Sequence, residues 1–275
     1  MALKSRNEAS SAPGPGWVDL ASSPGILSRG IFLDIVGLEG SGKSSLALTL
    51  AEFGPLAYVN IDQSLDRAHA RSKKERERVK RLDVQYAATI GEDATKNTCR
   101  PVWANLVKRV DEASAGFAAG AVIDTGTETW ELNRLAAFGT LNPKGRTDHL
   151  YGPINARQRN LFRTVHRINK KHLITIHQYT DEYKDKRLPS GGIQSVKTGK
   201  YVRKGFKEMG YLCDVAVECR RENGEFKAKF LINKLPPNGP DLEGTEIDQD
   251  DLTFAHIITI STGTEIGEWL KKATK

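Results

Sequence analysis

"GIFLDIVGLEGSGKSS", residues 30–45, passes without a break from an apolar run into three glycines and a lysine. Gly37, four residues, then Gly42-Lys43-Ser44 fits the phosphate-loop pattern G-x-x-x-x-G-K-S/T. Glycine lets the backbone turn tightly and bring its N–H groups against phosphate oxygens with no Cβ in the way. The whole loop, Gly37, Leu38, Glu39, Gly40, Ser41, Gly42, Lys43, Ser44 and Ser45, is therefore a candidate nucleotide cradle. In this pattern the lysine reaches the β- and γ-phosphates and the Ser44 hydroxyl holds Mg²⁺. The flanks agree: "GIFLDIV" reads as a buried strand, and "KSSLALTLAEFG" as a helix with Leu46, Leu50 and Phe53 at helical spacing and Gly54 as its stop.

Outward from the loop, the chain alternates strand and helix, which predicts an α/β fold with a mostly parallel sheet. "PLAYVNID" reads as a second strand ending at Asp62. The charged "RAHARSKKERERVKRL" then reads as an exposed helix supported by the pairs Arg71/Glu75, Lys73/Glu77 and Glu77/Arg81. "VQYA" is a short strand, residues 103–117 a helix, and "AAGAVIDTGTETW" a central strand beside the phosphate-loop strand, followed by a helix over about residues 128–138. "NARQRNLFRTVHRINKK" predicts a helix with Leu161, Val165 and Ile168 on one face, feeding the strand "HLITIHQY". A long Gly- and Lys-rich loop comes next. "YLCDVAVECRRENGEFKAKFLINK" then predicts a hairpin about an Asn-Gly turn, and "FAHIITI" a last strand before a short basic helix. Asp124, ending its apolar strand, is placed to hold Mg²⁺ through water.

A chain of 275 residues can bury one large α/β core. We expect a flexible lead over residues 1–16, one domain over 17–240, and an acidic segment with a terminal strand and helix, 241–275, packed on that domain. The polar opening "MALKSRNEASSAPGPG" lacks the apolar core of a signal peptide, and no stretch has the length of a membrane span, which predicts a cytoplasmic protein with no membrane partner. Cys99, Cys213 and Cys219 form no C-x-x-C pair and read as buried thiols. The net charge of +7 is concentrated. Residues 66–83 and 180–208 each carry eight Lys/Arg against four Asp/Glu, so a polyanion would be met there.

The phosphate loop, the strand ending in Asp62, "VIDTGTETW", "YGPINARQRNLFRTV", "LITIHQYTDEY" and the hairpin leading to "INK" occur in the order of RecA-like ATPases. The chain resembles most the small phage-type members of recombination and single-strand annealing, the AAA-type phage nucleotide-binding proteins. The resemblance spans about residues 30–240. It implies a RecA-like sheet flanked by helices with a C-terminal β-hairpin, ATP with Mg²⁺ as cofactors, and a homo-oligomeric ring or filament with nucleotide between protomers. It also implies that Gln178, with His177 beside it, couples the γ-phosphate to a DNA-facing loop. One departure stands out: Ser64 falls where RecA carries the glutamate that orients the attacking water. Slow hydrolysis, or another carboxylate in that role, is then expected, with Asp62 first choice and Glu128 second.

"TDEYKDKRLPSGGIQSVKTGKYVRKGF" lies where RecA-like proteins carry a DNA-binding loop. Lys184, Lys197, Lys200, Arg203 and Lys204 suit phosphates, and Tyr183, Tyr201 and Phe206 offer faces for base stacking. "LNPKGRTDHLYGP" is a candidate second contact loop. Strand alternation places Phe230, Ile232 and Lys234 on one face, and the resemblance implies that Lys234 reaches a neighbouring protomer's γ-phosphate. The reading is an ATP-dependent RecA-like protein that binds single-stranded DNA. A P-loop ATPase acting on a protein partner, such as a helicase loader or packaging factor, stands as an alternative. So do a nucleotide-responsive module with negligible turnover and a small-molecule or nucleoside kinase, which lacks a clear arginine-bearing lid here.

Overall fold

The computed structural model describes residues 30–68, 73–86, 95–141, 143, 150–187, 191–235 and 241–263. Strands β1 (Phe32–Gly37), β2 (Leu56–Asn60) and β4 (Gly120–Asp124) are buried at every position. Such unbroken burial follows from helices on both faces of a parallel sheet. The remaining strands are β3 (Val79–Asp83), β5 (His172–Arg187), β6 (Ile193–Arg203), β7 (Val215–Glu222), β8 (Glu225–Asn233) and β9 (Glu246–Ile247). Their order is β3-β2-β4-β5-β1-β7-β8-β9, with β6 attached only to the outer half of β5. All pairs from β3 to β7 are parallel; β7–β8, β8–β9 and β5–β6 are antiparallel. The expected central, mostly parallel sheet with a C-terminal hairpin is thus present, and Asn223-Gly224 turns that hairpin with positive φ at both residues (53° and 92°).

Helices α1 (Lys43–Leu48), α2 (Lys73–Arg78), α3 (Lys96–Ala115), α4 (Gly126–Phe138), α5 (Tyr151–Arg163), α6 (Met209–Leu212) and α7 (Phe254–Thr262) surround the sheet. One core gathers Leu46 and Leu50 from α1 and its 3₁₀ extension with Phe254, Ile257 and Ile258 of α7. The other gathers Trp103, Leu106 and Val110 of α3 with Leu132 and Leu135 of α4 and Leu161 and Phe162 of α5.

Several local expectations are corrected. "FAHIITI" is helical: Phe254, Ala255, Ile257, Ile258 and Ser261 are buried at helical spacing, Thr253 caps the His256 N–H, and Gly263 ends the helix at φ 65°. The strand expected at "VQYA" lies earlier, at β3, so the charged helix shrinks to α2. Arg81 accordingly leaves Glu77 for Asp66 and Asp83, while Lys73–Glu77 remains at 3.8 Å; Arg71 lies outside the described residues. A turn of π-helix, Thr164–Ile168, breaks the α5 face, leaving Val165 buried and Ile168 exposed. In β8 a register shift sends Phe230 to one core and Ile232 to the other, so Lys234 does not continue a shared face.

Asp124 also differs from expectation in its neighbours. Its strand is not beside β1, because β5 lies between them. The crossovers nonetheless bring the carboxyl ends of β1, β2, β4 and β5 to one edge of the sheet, the edge where α/β proteins bind ligands.

Candidate functional site

At the end of β1 the chain must turn against β7. A Cβ on Gly37 would meet Cys219 O at 2.4 Å and Ser41 Oγ at 2.7 Å, so only glycine fits. Gly42 opens α1 in the left-handed region (φ 86°), with the Phe226 ring 2.8 Å from where its Cβ would stand. Between them Leu38, Glu39 and Gly40 form an exposed rim, while Ser41 is buried and Ser44 and Ser45 half-buried. Lys43 is buried, with Nζ donating to Leu38 O at 2.5 Å; burial pulls its pKa down. Ser41 Oγ donates to the same carbonyl at 2.8 Å.

The loop forms one wall of a cleft of about 670 Å³ whose other walls include Asp62, Arg67, Asp124, Gln178, Tyr179 and Phe226. Asp124 is 1 % exposed, and its Oδ2 accepts from Ser44 Oγ at 2.7 Å and from Tyr58 OH at 2.5 Å. A hydroxyl and a carboxylate thus converge at the foot of the phosphate loop, a hard oxygen set that suits Mg²⁺. No cluster of three or more His, Cys, Asp or Glu fit to cage a metal occurs among the described residues. Mg²⁺ commonly takes its remaining ligands from phosphate and water.

Glu128 stands in the first turn of α4, its N–H held by Thr125 Oγ1 at 3.1 Å. Desolvation by burial, then the charges of Asp62, Glu131 and Asp124, raise its carboxyl to about 7, against a smaller pull from Lys204. Its Oε2 has no hydrogen-bond partner among the described residues. Glu128 is not part of the cleft wall, whereas Asp62 is.

Gln178 lines the cleft at the point where β5 leaves the sheet. Its N–H donates to Thr127 Oγ1 (3.2 Å), Thr127 donates to Lys204 O (3.1 Å), and Lys204 N–H returns to Gln178 O (2.8 Å). His177 does not share the cleft. It is fully buried, with Nδ1 2.7 Å from Asp34 Oδ1, and it fills the space where a Cβ on Gly126 would stand.

Beyond Gln178 the expected loop is instead a two-stranded ribbon, β5 paired with β6 from Tyr179↔Arg203 to Arg187↔Ile193. Tyr179 and Tyr201 stack with centroids 6.0 Å apart, and Tyr183 and Tyr201 are exposed. Lys184 and Lys200 are exposed, Lys197 pairs with Asp181 at 2.8 Å, and Lys204 pairs with Glu131 at 3.3 Å. Arg203 turns inward to Asp34 Oδ2 at 2.5 Å. Burial alone would raise the Asp34 carboxyl, but His177, Arg203 and Thr175 together hold it below the usual carboxylate range. Phe206 is core, packed on Trp130 and Phe162, and offers no face to a base. Most of "LNPKGRTDH" lies outside the described residues. Lys234 sits at the opposite edge of the sheet from the cleft, where its ammonium is bonded to the carbonyls of Gly210 and Cys213.

Sequence reasoning did not single out Tyr58, Phe226 or Asp34 as site residues. Asp34 carried a signal, an acid inside the apolar run "FLDIV"; the other two are ordinary strand residues until their partners are known.

Fold and site define an α/β protein whose mostly parallel sheet carries a phosphate-loop cleft at its carboxyl edge. No protein-family model matches the chain, and no curated protein does. Among solved structures it is similar to the crystal structure of the RadB recombinase, at 19% identity and a TM-score of 0.47, over 80% of this chain and 87% of that one. No described helix is long and apolar enough to cross a membrane.

Proposed function

We propose that the chain binds ATP with Mg²⁺ in this cleft, hydrolyses it, and engages single-stranded DNA through the β5–β6 ribbon. The observation that carries the nucleotide part is the convergence of Ser44 and Asp124 at 2.7 Å beneath a loop only glycine can make. Lys43 and the loop N–H groups hold the phosphates, and Ser44 and Asp124 hold the metal. Bound Mg²⁺ would offset phosphate charge as it develops. Asp62 is the candidate base. β2 ends at Asn60 rather than at Asp62, and Asp62 follows it onto the cleft wall. Its place on the cleft wall supports this reading, because a base must lie within one water of the γ-phosphate.

The ribbon supports the DNA part. The Gln178–Thr127–Lys204 bonds root it at the cleft, and its exposed cations and tyrosines suit phosphate and base. Arg203, half-buried and paired with Asp34, is turned away from that surface. One observation favours a protein partner instead: Ile193, Val196 and Val202 are exposed on the same ribbon, at 72%, 40% and 40%. Assembly into a ring or filament belongs to the same proposal. Titration with a fluorescent ATP analogue tests the nucleotide reading. Lys43→Ala should lose triphosphate binding, and Asp124→Asn should lose the tightening that Mg²⁺ brings. Wild-type binding in a folded Lys43→Ala chain would overturn it.

A further inference from the structure

Tyr58 sits mid-strand in β2, fully buried beside Val122 of β4. A phenol at that depth must give its hydroxyl to a partner or pay for losing water. It gives it to Asp124, two residues along the neighbouring strand, at 2.5 Å. The oxygen it chooses is Oδ2, the same one that takes the Ser44 hydroxyl at 2.7 Å. The ring is fixed by the core it shares with Ala47, Leu48 and Ile176, so the donor has little freedom to follow a moving carboxylate.

From this geometry we infer that Tyr58 is a positioning residue for the metal site: its hydroxyl pins Asp124 Oδ2 and so fixes how that carboxylate is presented beside Ser44. The inference rests on the Mg²⁺–nucleotide reading above. Partners of a metal-binding carboxylate set its orientation and basicity, and losing one commonly costs tenfold or more in metal affinity. Phenylalanine keeps the ring and removes only the donor.

The test is Mg²⁺ titration of fluorescent ATP binding by the full chain, wild type, Tyr58→Phe, Asp124→Asn and the double variant, with binding in EDTA as reference. Tyr58→Phe should raise the Mg²⁺ midpoint about tenfold while leaving affinity in EDTA unchanged. In the Asp124→Asn background it should add nothing, because the atom it positions has lost its charge. An unmoved midpoint in Tyr58→Phe, or an equal shift with and without Asp124, overturns the role of Tyr58. A wild-type chain whose binding ignores Mg²⁺ overturns the metal reading first, and Tyr58 with it. Should Tyr58→Phe fail to fold, fluorotyrosine at the same position alters the donor strength without altering the shape. The midpoint must then move, and a fixed midpoint overturns the inference.

Discussion

Glu128→Gln separates a stability effect from a catalytic one. The carboxyl titrates near 4.5 in an unfolded chain and at about 7 in the fold, because burial and the carboxylates of Asp62, Glu131 and Asp124 oppose its charge. At about 1.4 kcal/mol per pH unit, that gap is worth roughly 3 kcal/mol. Glu128 is only half-buried, so solvent screening reduces this to about 2 kcal/mol. The sign follows from proton counting. Between pH 4.5 and 7 the folded chain holds the proton that the unfolded chain has lost, so this group's contribution falls as pH rises. Below about 4.5 the penalty is absent, and above about 7 it is complete. Glutamine carries no such charge. Urea unfolding in EDTA should show the variant stabilised by about 2 kcal/mol near pH 8 and by close to nothing near pH 4.5, relative to wild type. A difference that stays constant with pH, or a variant less stable than wild type near pH 8, would refute the desolvation argument.

Asp62→Asn should lower ATP turnover about a hundredfold or more with nucleotide affinity retained, whereas Glu128→Gln should keep turnover within a few-fold; steady-state kinetics beside binding titrations decide between the two carboxylates. His172 is buried, its Nδ1 accepts the Ile31 N–H at 3.1 Å, and burial, with His166 and Lys171, pulls its pKa to about 4. The unfolded chain takes up that proton first, so the stability His172 contributes is complete above about pH 6.5 and fades as pH falls toward 4. Over that window wild type should lose roughly 3 kcal/mol more than His172→Gln in urea unfolding, and parallel pH curves would count against it.

Much of the site was legible because its signals are local. The phosphate loop carries its glycines, lysine and serine within nine residues, and the Asn223-Gly224 turn announces its hairpin. What failed depends on partners distant in sequence. The ribbon reads as a glycine-rich loop because its pairing, Thr180 with Val202 and Lys184 with Val196, stabilises strands whose own composition is polar. Tyr58 and Asp124 stand 66 residues apart, and nothing in either segment announces the bond. Insertion of β5 between β1 and β4 is a matter of sheet order, which hydrophobic periodicity does not encode. "FAHIITI" misleads through its β-branched residues, although Thr253 and Gly263 bracket it as a helix's start and stop.

ATP hydrolysis by the full chain, measured with and without single-stranded DNA at low and high salt, tests whether nucleotide turnover in the cleft is coupled to DNA on the ribbon. The paired experiment replaces the exposed ribbon cations Lys184, Lys186, Arg187 and Lys200 with serine. DNA should stimulate wild-type turnover, and the stimulation should fade with salt. The four substitutions should flatten the salt slope of DNA binding by roughly 3 and abolish stimulation while leaving basal turnover intact. Wild-type turnover indifferent to DNA, or stimulation and salt slope unchanged in the four-fold variant, would contradict that coupling.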